Sequence, residues 1–166
     1  MTTMSTFTVR RALPDDAGAL VSMHNRAWRE AYEHLGPAAF FDRRDANAAS
    51  DAVDRRREIG EGVPWTLAVD DDGDLVGVAL AGPARDDDMT GVELYFLYVL
   101  RRVYGQGVGL TLLNEVIGNQ GASLWVLEVN SRATAFYSRH RFAADGTHRT
   151  VKAEGSELQE IRMVRQ

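Results

Sequence analysis

The chain has no cysteine among its 166 residues. That excludes a disulfide framework, thiolate metal ligands and an acyl-cysteine intermediate. Any acyl transfer by such a chain would run by direct attack rather than through a protein thiol. A membrane-spanning run is also missing, since no apolar stretch reaches the roughly 20 residues a helix needs to cross a bilayer. The N-terminal segment MTTMSTFTVRR lacks the apolar core of a secretory signal. A cytoplasmic protein without membrane association is the expectation. Positive charge is scarce as well. Nineteen Lys and Arg stand against 24 Asp and Glu, a net charge of -5, which argues against nucleic acid as a partner because phosphate backbones need basic surfaces. Among the histidines, His24, His34, His140 and His148 show no short ligand spacing, so no metal is expected.

What is present fits one domain over residues 1–166, long enough to bury a core and 45% hydrophobic. Phe7–Arg10 reads as a strand, and Pro14-Asp15-Asp16 opens a helix to about Tyr32, its acids suited to a first turn. Pro37 opens a second helix to about Arg57, in which the run Arg55-Arg56-Arg57 reads as a solvated face. Trp65–Val69 and Leu75–Ala81 are apolar strands joined by the acidic turn Asp70-Asp71-Asp72-Gly73-Asp74. A second acidic run, Asp86-Asp87-Asp88, reads as a loop. Val92–Val99, Ser123–Val129 and Glu160–Val164 are further strands, with helices over Val108–Ile117 and Arg132–His140. The order β-α-α-β-β-β-α-β-α-β describes a mixed α/β sheet domain without internal repeats.

The stretch from Val92 to Gly118 carries the most information. A strand runs into RRVYGQGVG, where Gly105, Gly107 and Gly109 recur at every second position just before a helix. Glycine permits a sharp turn and close ligand approach. A helix start offers unpaired N–H groups and the positive end of its dipole, so this unit is a natural phosphate cradle. A P-loop is excluded because Gly109 is followed by Leu110 and Thr111 rather than Lys and Ser or Thr. A dinucleotide fingerprint is excluded because Leu110 stands where its third glycine belongs.

At these residues the chain resembles the GNAT superfamily of N-acetyltransferases. The family signature, Gln/Arg-x-x-Gly-x-Gly/Ala, aligns with Tyr104-Gly105-Gln106-Gly107-Val108-Gly109, with Tyr104 replacing the usual Gln or Arg. Downstream, LWVLEVNSRATAFYSRHRF resembles the family's later strand-helix unit, with Asn130 and, seven residues on, Tyr137. Arg141-Phe142 replaces the usual Gly-Phe pair that ends that helix. The resemblance implies a single-domain GNAT-like α/β fold, a mixed, mostly antiparallel sheet splayed at its centre with helices on both faces.

It further implies acetyl-CoA as co-substrate and a primary amine, on a small molecule, peptide or protein, as acceptor. The pyrophosphate would lie on the amides of Gly105, Gln106, Gly107, Val108 and Gly109, with Tyr104, Asn130 and Tyr137 also at the cofactor. The pantetheine would pair with the backbone of Leu97, Tyr98 and Val99, and an amide near Val99 would face the thioester oxygen. Tyr137 is expected to protonate the departing thiolate. An alkylammonium has a pKa of about 10.4 and must lose its proton before attack. Glu93 is the first candidate base, on the strand face that also carries Tyr95, Leu97 and Val99; Glu128 is the second, and water the default. Asn130 would cap its helix or bond the pantetheine. His24, Trp28 and Tyr32 recur every fourth residue, a helical stripe that fits a core face or the acceptor wall this helix forms in many relatives. A homodimer is compatible with the family. The rival reading is a non-catalytic acyl-CoA sensor or partner module, and turnover with any amine separates the two.

Overall fold

The computed structural model describes residues 6–34, 37–153 and 155–166. The signal-peptide reading rests in part on residues 1–5, which lie outside the described residues. Among the described residues, seven strands and four α-helices follow in the order β1 (Phe7–Arg11), α1 (Ala17–Tyr32), α2 (Ala38–Gly60), β2 (Thr66–Asp70), β3 (Leu75–Pro83), β4 (Val92–Val99), α3 (Val108–Ile117), β5 (Ala122–Leu127), α4 (Ser131–Arg139), β6 (Ala143–Ala153) and β7 (Ser156–Arg165). The sheet order is β1-β2-β3-β4-β5-β7-β6. β4 and β5 pair in parallel, whereas β1–β2, β2–β3, β5–β7 and β6–β7 are antiparallel. The expected mixed, mostly antiparallel sheet is what forms. Pairing of β4 with β5 runs from Val92↔Ala122 to Leu94↔Leu124, although both strands continue beyond.

Two compact units make up the chain: residues 1–80 with 96–116, and residues 81–95 with 117–166. In the first unit, strand alternation divides the end of β4 between two cores. Leu97 and Val99 join Ala68, Val76, Ala79, Val103, Val108 and Leu112, which seats α3 on the sheet. Gly77 makes that seat possible: a Cβ there would meet Leu112 Cδ1 at 2.7 Å. Phe96 and Tyr98 turn the other way, toward α1, where His24 lies 4.5 Å from the Tyr98 ring and 5.6 Å from Phe96. Trp65, fully buried, stacks on Phe96 at 5.1 Å and also carries the Arg55 guanidinium over its ring at 4.0 Å. Arg55 is thus an interior-facing member of the basic run read as solvated; Arg56 and Arg57 remain exposed, paired with Asp15 and Asp54.

In the second unit, β6 and β7 form a long hairpin. The sequence reading missed β6 entirely and shortened β7 to Glu160–Val164. AADGTHRTVKA carries little apolar alternation because β6 ends the sheet order and most of its residues stay exposed. The 84–91 loop of this unit is tied down by charge. Arg162, only 5% exposed on β7, donates to Asp86 at 3.2 Å, to Asp88 at 2.7 and 2.6 Å and to Asp145 at 2.7 Å. Trp125 Nε1 adds a bond to Asp86 at 2.9 Å. Most of the acidic run read as a plain loop is therefore the anchor of that loop.

Candidate active site

The turn after β4 is built from both ends. Leu100 N–H donates to the Val76 carbonyl at 2.9 Å, and a short 3-10 turn over Arg101–Val103 follows. Val103 and Val108, 3% and 1% exposed, are core anchors on either side of Tyr104–Gly107. Between them Gly105 has φ 77° and Gly107 φ 86°, the left-handed region that L side chains avoid. A Cβ built on either would meet nothing within 4 Å, so this side of the turn faces open space. Gly109 differs: it lies inside α3. The helix ladder begins with Thr111 N–H donating to the Gly107 carbonyl at 2.9 Å, which leaves the amides of Val108, Gly109 and Leu110 ahead of it. Open glycines beside early helix amides fit a pyrophosphate in shape, donor type and dipole sign.

Two arginines precede this turn, and each meets a carboxylate. Glu30 of α1 accepts from the Arg101 backbone N–H at 2.6 Å, while its own carbonyl accepts from the Arg101 guanidinium. Arg102 donates to Asp70 at 2.7 Å. Neither pair was visible in the sequence, since 71 and 32 residues separate the partners. Leu97, Tyr98 and Val99 occupy the end of β4 as expected. The stripe on α1 lies against β4: His24 and Tyr32 are buried, and Trp28 stands 4.6 Å from Tyr32, 5.8 Å from Phe40 and 6.2 Å from Tyr98. His24 Nε2 is buried and has no hydrogen-bond partner among the described residues. Burial, aided by the charges of Arg44 and Arg55, pushes its pKa down to about 3.

Glu93, the first candidate base, is held in an ion pair. It is 2% exposed, and Arg85 closes over it. Arg85 backbone N–H donates to Oε2 at 2.9 Å, Arg85 Nε reaches both oxygens at 3.1 and 3.2 Å, and Nη2 bonds Oε1. The carboxylate raises the Arg85 pKa in turn. Both of its oxygens accept from one arginine, which holds the start of the 84–91 loop to β4. Tyr95 continues the same arrangement, its ring under the Arg85 guanidinium at 4.2 Å and its hydroxyl donating to the Pro83 carbonyl at 2.5 Å. Glu128, the second candidate, is exposed beyond the end of β5, which stops at Leu127 rather than Val129.

Asn130 caps α4, its side chain accepting from Ala133 N–H at 3.0 Å. Of the two roles open to it, capping is the one the structure displays. Tyr137 is buried, between Phe136 at 5.3 Å and Phe142 at 5.7 Å. The departure at Arg141 now has a physical meaning. It is the only non-glycine residue among those described with positive φ, at 70°. It ends α4 by letting Phe142 N–H donate back to the Tyr137 carbonyl at 3.0 Å. A glycine would do this without strain. Among the described residues no group of three or more His, Asp or Glu could hold a metal ion, and no helix is long and apolar enough to cross a membrane.

Comparison with known proteins agrees with this geometry. Residues 19–142 match the Acetyltransferase (GNAT) family. A Bacillus subtilis protein named as the uncharacterized N-acetyltransferase YuaI is 30% identical over 147 residues, covering 83% of each chain. Among solved structures, the PaiA N-acetyltransferase of Thermoplasma acidophilum in complex with coenzyme A superposes with a TM-score of 0.70 at 17% identity, over 97% of this chain and 99% of that one. A GCN5-related N-acetyltransferase of Rhodopseudomonas palustris gives 0.73 at 22% identity, over 99% and 98%. With family profile, sequence relative and fold in agreement, the chain belongs to the GNAT family of acetyltransferases.

Proposed function

We propose that the chain moves an acetyl group from acetyl-CoA directly to a primary amine within a ternary complex. The observation that carries this reading is the turn: left-handed glycines at 105 and 107, open on one side, running into the free amides of α3. When bound, acetyl-CoA supplies the activated thioester. The chain supplies orientation. The amides of Gly105, Gly107, Val108 and Gly109 hold the pyrophosphate, those of Tyr104 and Gln106 donating instead to the Arg101 and Val103 carbonyls, and the main chain of Leu97, Tyr98 and Val99 holds the pantetheine. Leu97 and Val99 send their side chains into the core with α3, so their backbone is the part offered to the ligand. An amide near Val99 stabilises the oxyanion as the amine nitrogen bonds to the carbonyl carbon and the C–S bond breaks.

Three proton transfers balance the reaction. The ammonium gives one to solvent before attack, because the one carboxylate on β4 is paired with Arg85. Glu93 accordingly holds the loop and does not take the proton. The departing sulfur takes one from the Tyr137 hydroxyl, an assignment that rests on the family resemblance, and the proton that the nitrogen sheds as the amide forms restores that hydroxyl through solvent. With no cysteine in the chain, direct transfer is the simpler course. A panel of primary amines incubated with acetyl-CoA, read by thiol release, tests the proposal. Turnover with an amine, and an acetylated product of matching mass, is the expected result. Stoichiometric binding without turnover across the panel would make the chain a binding module instead.

A further inference from the structure

Asp70 is 9% exposed at the end of β2, and its two oxygens have different tasks. Oδ1 accepts from the N–H groups of Asp72 at 3.2 Å and Asp74 at 2.9 Å, which fixes it to its own hairpin. Oδ2 accepts from Arg102 Nη2 at 2.7 Å. Asp74 stands further off, at 3.8 Å from the same guanidinium. Arg102 is the hub of the turn. Its side chain is held by Asp70, while its carbonyl accepts from the side-chain amide of Gln106 at 3.1 Å. Gln106 lies between the two left-handed glycines. The path from the β2–β3 hairpin to the glycines thus consists of an ion pair and one amide bond. Val103, beside Arg102, is packed in the core.

Left-handed glycines are costly to order, because glycine has more conformations to lose than any other residue. A turn that must present several amides at once benefits from being set before the ligand arrives. An acid beside a phosphate site would repel the ligand unless its charge were matched, and here Arg102 matches it. We propose that Asp70 is a positioning residue for the acyl donor: by holding Arg102, it sets the turn in the shape that receives the pyrophosphate. The inference rests on the acetyl-CoA reading above.

The test compares CoA binding by calorimetry in the unmodified protein, Asp70→Asn, Arg102→Gln and the double variant. Asparagine keeps an oxygen for the N–H groups of Asp72 and Asp74, so the hairpin cap survives and only the ion pair is removed. Each single variant should weaken CoA roughly tenfold, and the double should lose no more than either alone, as expected for two residues acting as one contact. Melting temperatures without CoA should fall by only a few degrees in each variant, as for any half-buried ion pair, so that all the variants remain folded where CoA binding is measured and the tenfold loss is not one of folding. Arg102→Lys, which keeps a cation beside Asp70, should bind more tightly than Arg102→Gln. Unchanged or tighter binding in Asp70→Asn, or additive losses in the double, would overturn the proposal and make Arg102 an independent phosphate ligand or a bystander. Failure of the unmodified protein to bind CoA would instead remove the acetyl-CoA reading itself.

Discussion

His24 makes the fold acid-sensitive in a way that can be calculated. Its imidazole is 8% exposed between Phe96 and Tyr98, with Nε2 unpartnered, and its pKa falls from 6.5 to about 3. Above pH 6.5 the side chain is neutral in both states and contributes no pH dependence. Below 6.5 the unfolded chain takes up a proton that the folded chain refuses until about pH 3. Stability therefore falls with pH across that window. At pH 5 the loss is about 2 kcal/mol, from 1.36 kcal/mol per unit over roughly 1.5 units. That is a large part of the about 5–15 kcal/mol available to a domain. His24→Leu keeps similar volume and removes the proton site. Urea unfolding at pH 7.5 and pH 5.0 gives the pH effect for each protein, and carboxylates common to both cancel in the difference. The unmodified protein should lose about 2 kcal/mol more than the variant. Equal pH dependence would show that His24 is charged in the folded state at pH 5 and would refute the argument.

Three further outcomes follow from particular contacts. Arg141→Gly relieves a left-handed φ that costs about 1–2 kcal/mol, offset by about 0.5–1 kcal/mol of added chain freedom, so thermal melting should rise by roughly 2 °C. Glu93→Gln should lower stability by about 1–2 kcal/mol in chemical denaturation, a modest figure because Arg85 is 56% exposed. Under the proposed chemistry it should leave the rate at neutral pH near that of the unmodified enzyme; a fall that higher pH recovers would restore Glu93 as base. Tyr137→Phe keeps the ring between Phe136 and Phe142, so folding should persist while kcat falls roughly 100-fold when chemistry is limiting.

Local signals were legible in the sequence, and long-range pairings were not. The strand-turn-helix from Val92 to Ile117 was readable because apolar alternation, glycine spacing and helical periodicity are all short-range properties. The α1 stripe was readable for the same reason, whereas the Phe96 and Tyr98 rings that meet it were not. Glu93 shows the limit. Its identity and strand face suggested a base, and its pairing with Arg85 could not be read, because Arg85 follows Gly82-Pro83 in a stretch with no periodic signal. Arg162 gathering Asp86, Asp88 and Asp145 was hidden in the same way, since a charge run reads alike whether solvated or paired. β6 was missed because an exposed edge strand lacks the apolar alternation used to find strands. Arg141 was visible as a departure, yet its cost became apparent only from its φ.

The central claim is that the glycine turn receives the acyl donor, and a titration of CoA into the protein and into Gly107→Val tests it most directly. Gly107 has φ 86° with open space where a Cβ would project, so valine would strain the turn and occupy the place left for phosphate. One CoA should bind each unmodified chain, and the variant should show no binding heat while remaining folded by circular dichroism. No binding to the unmodified protein, or equal binding to the valine variant, would contradict the account.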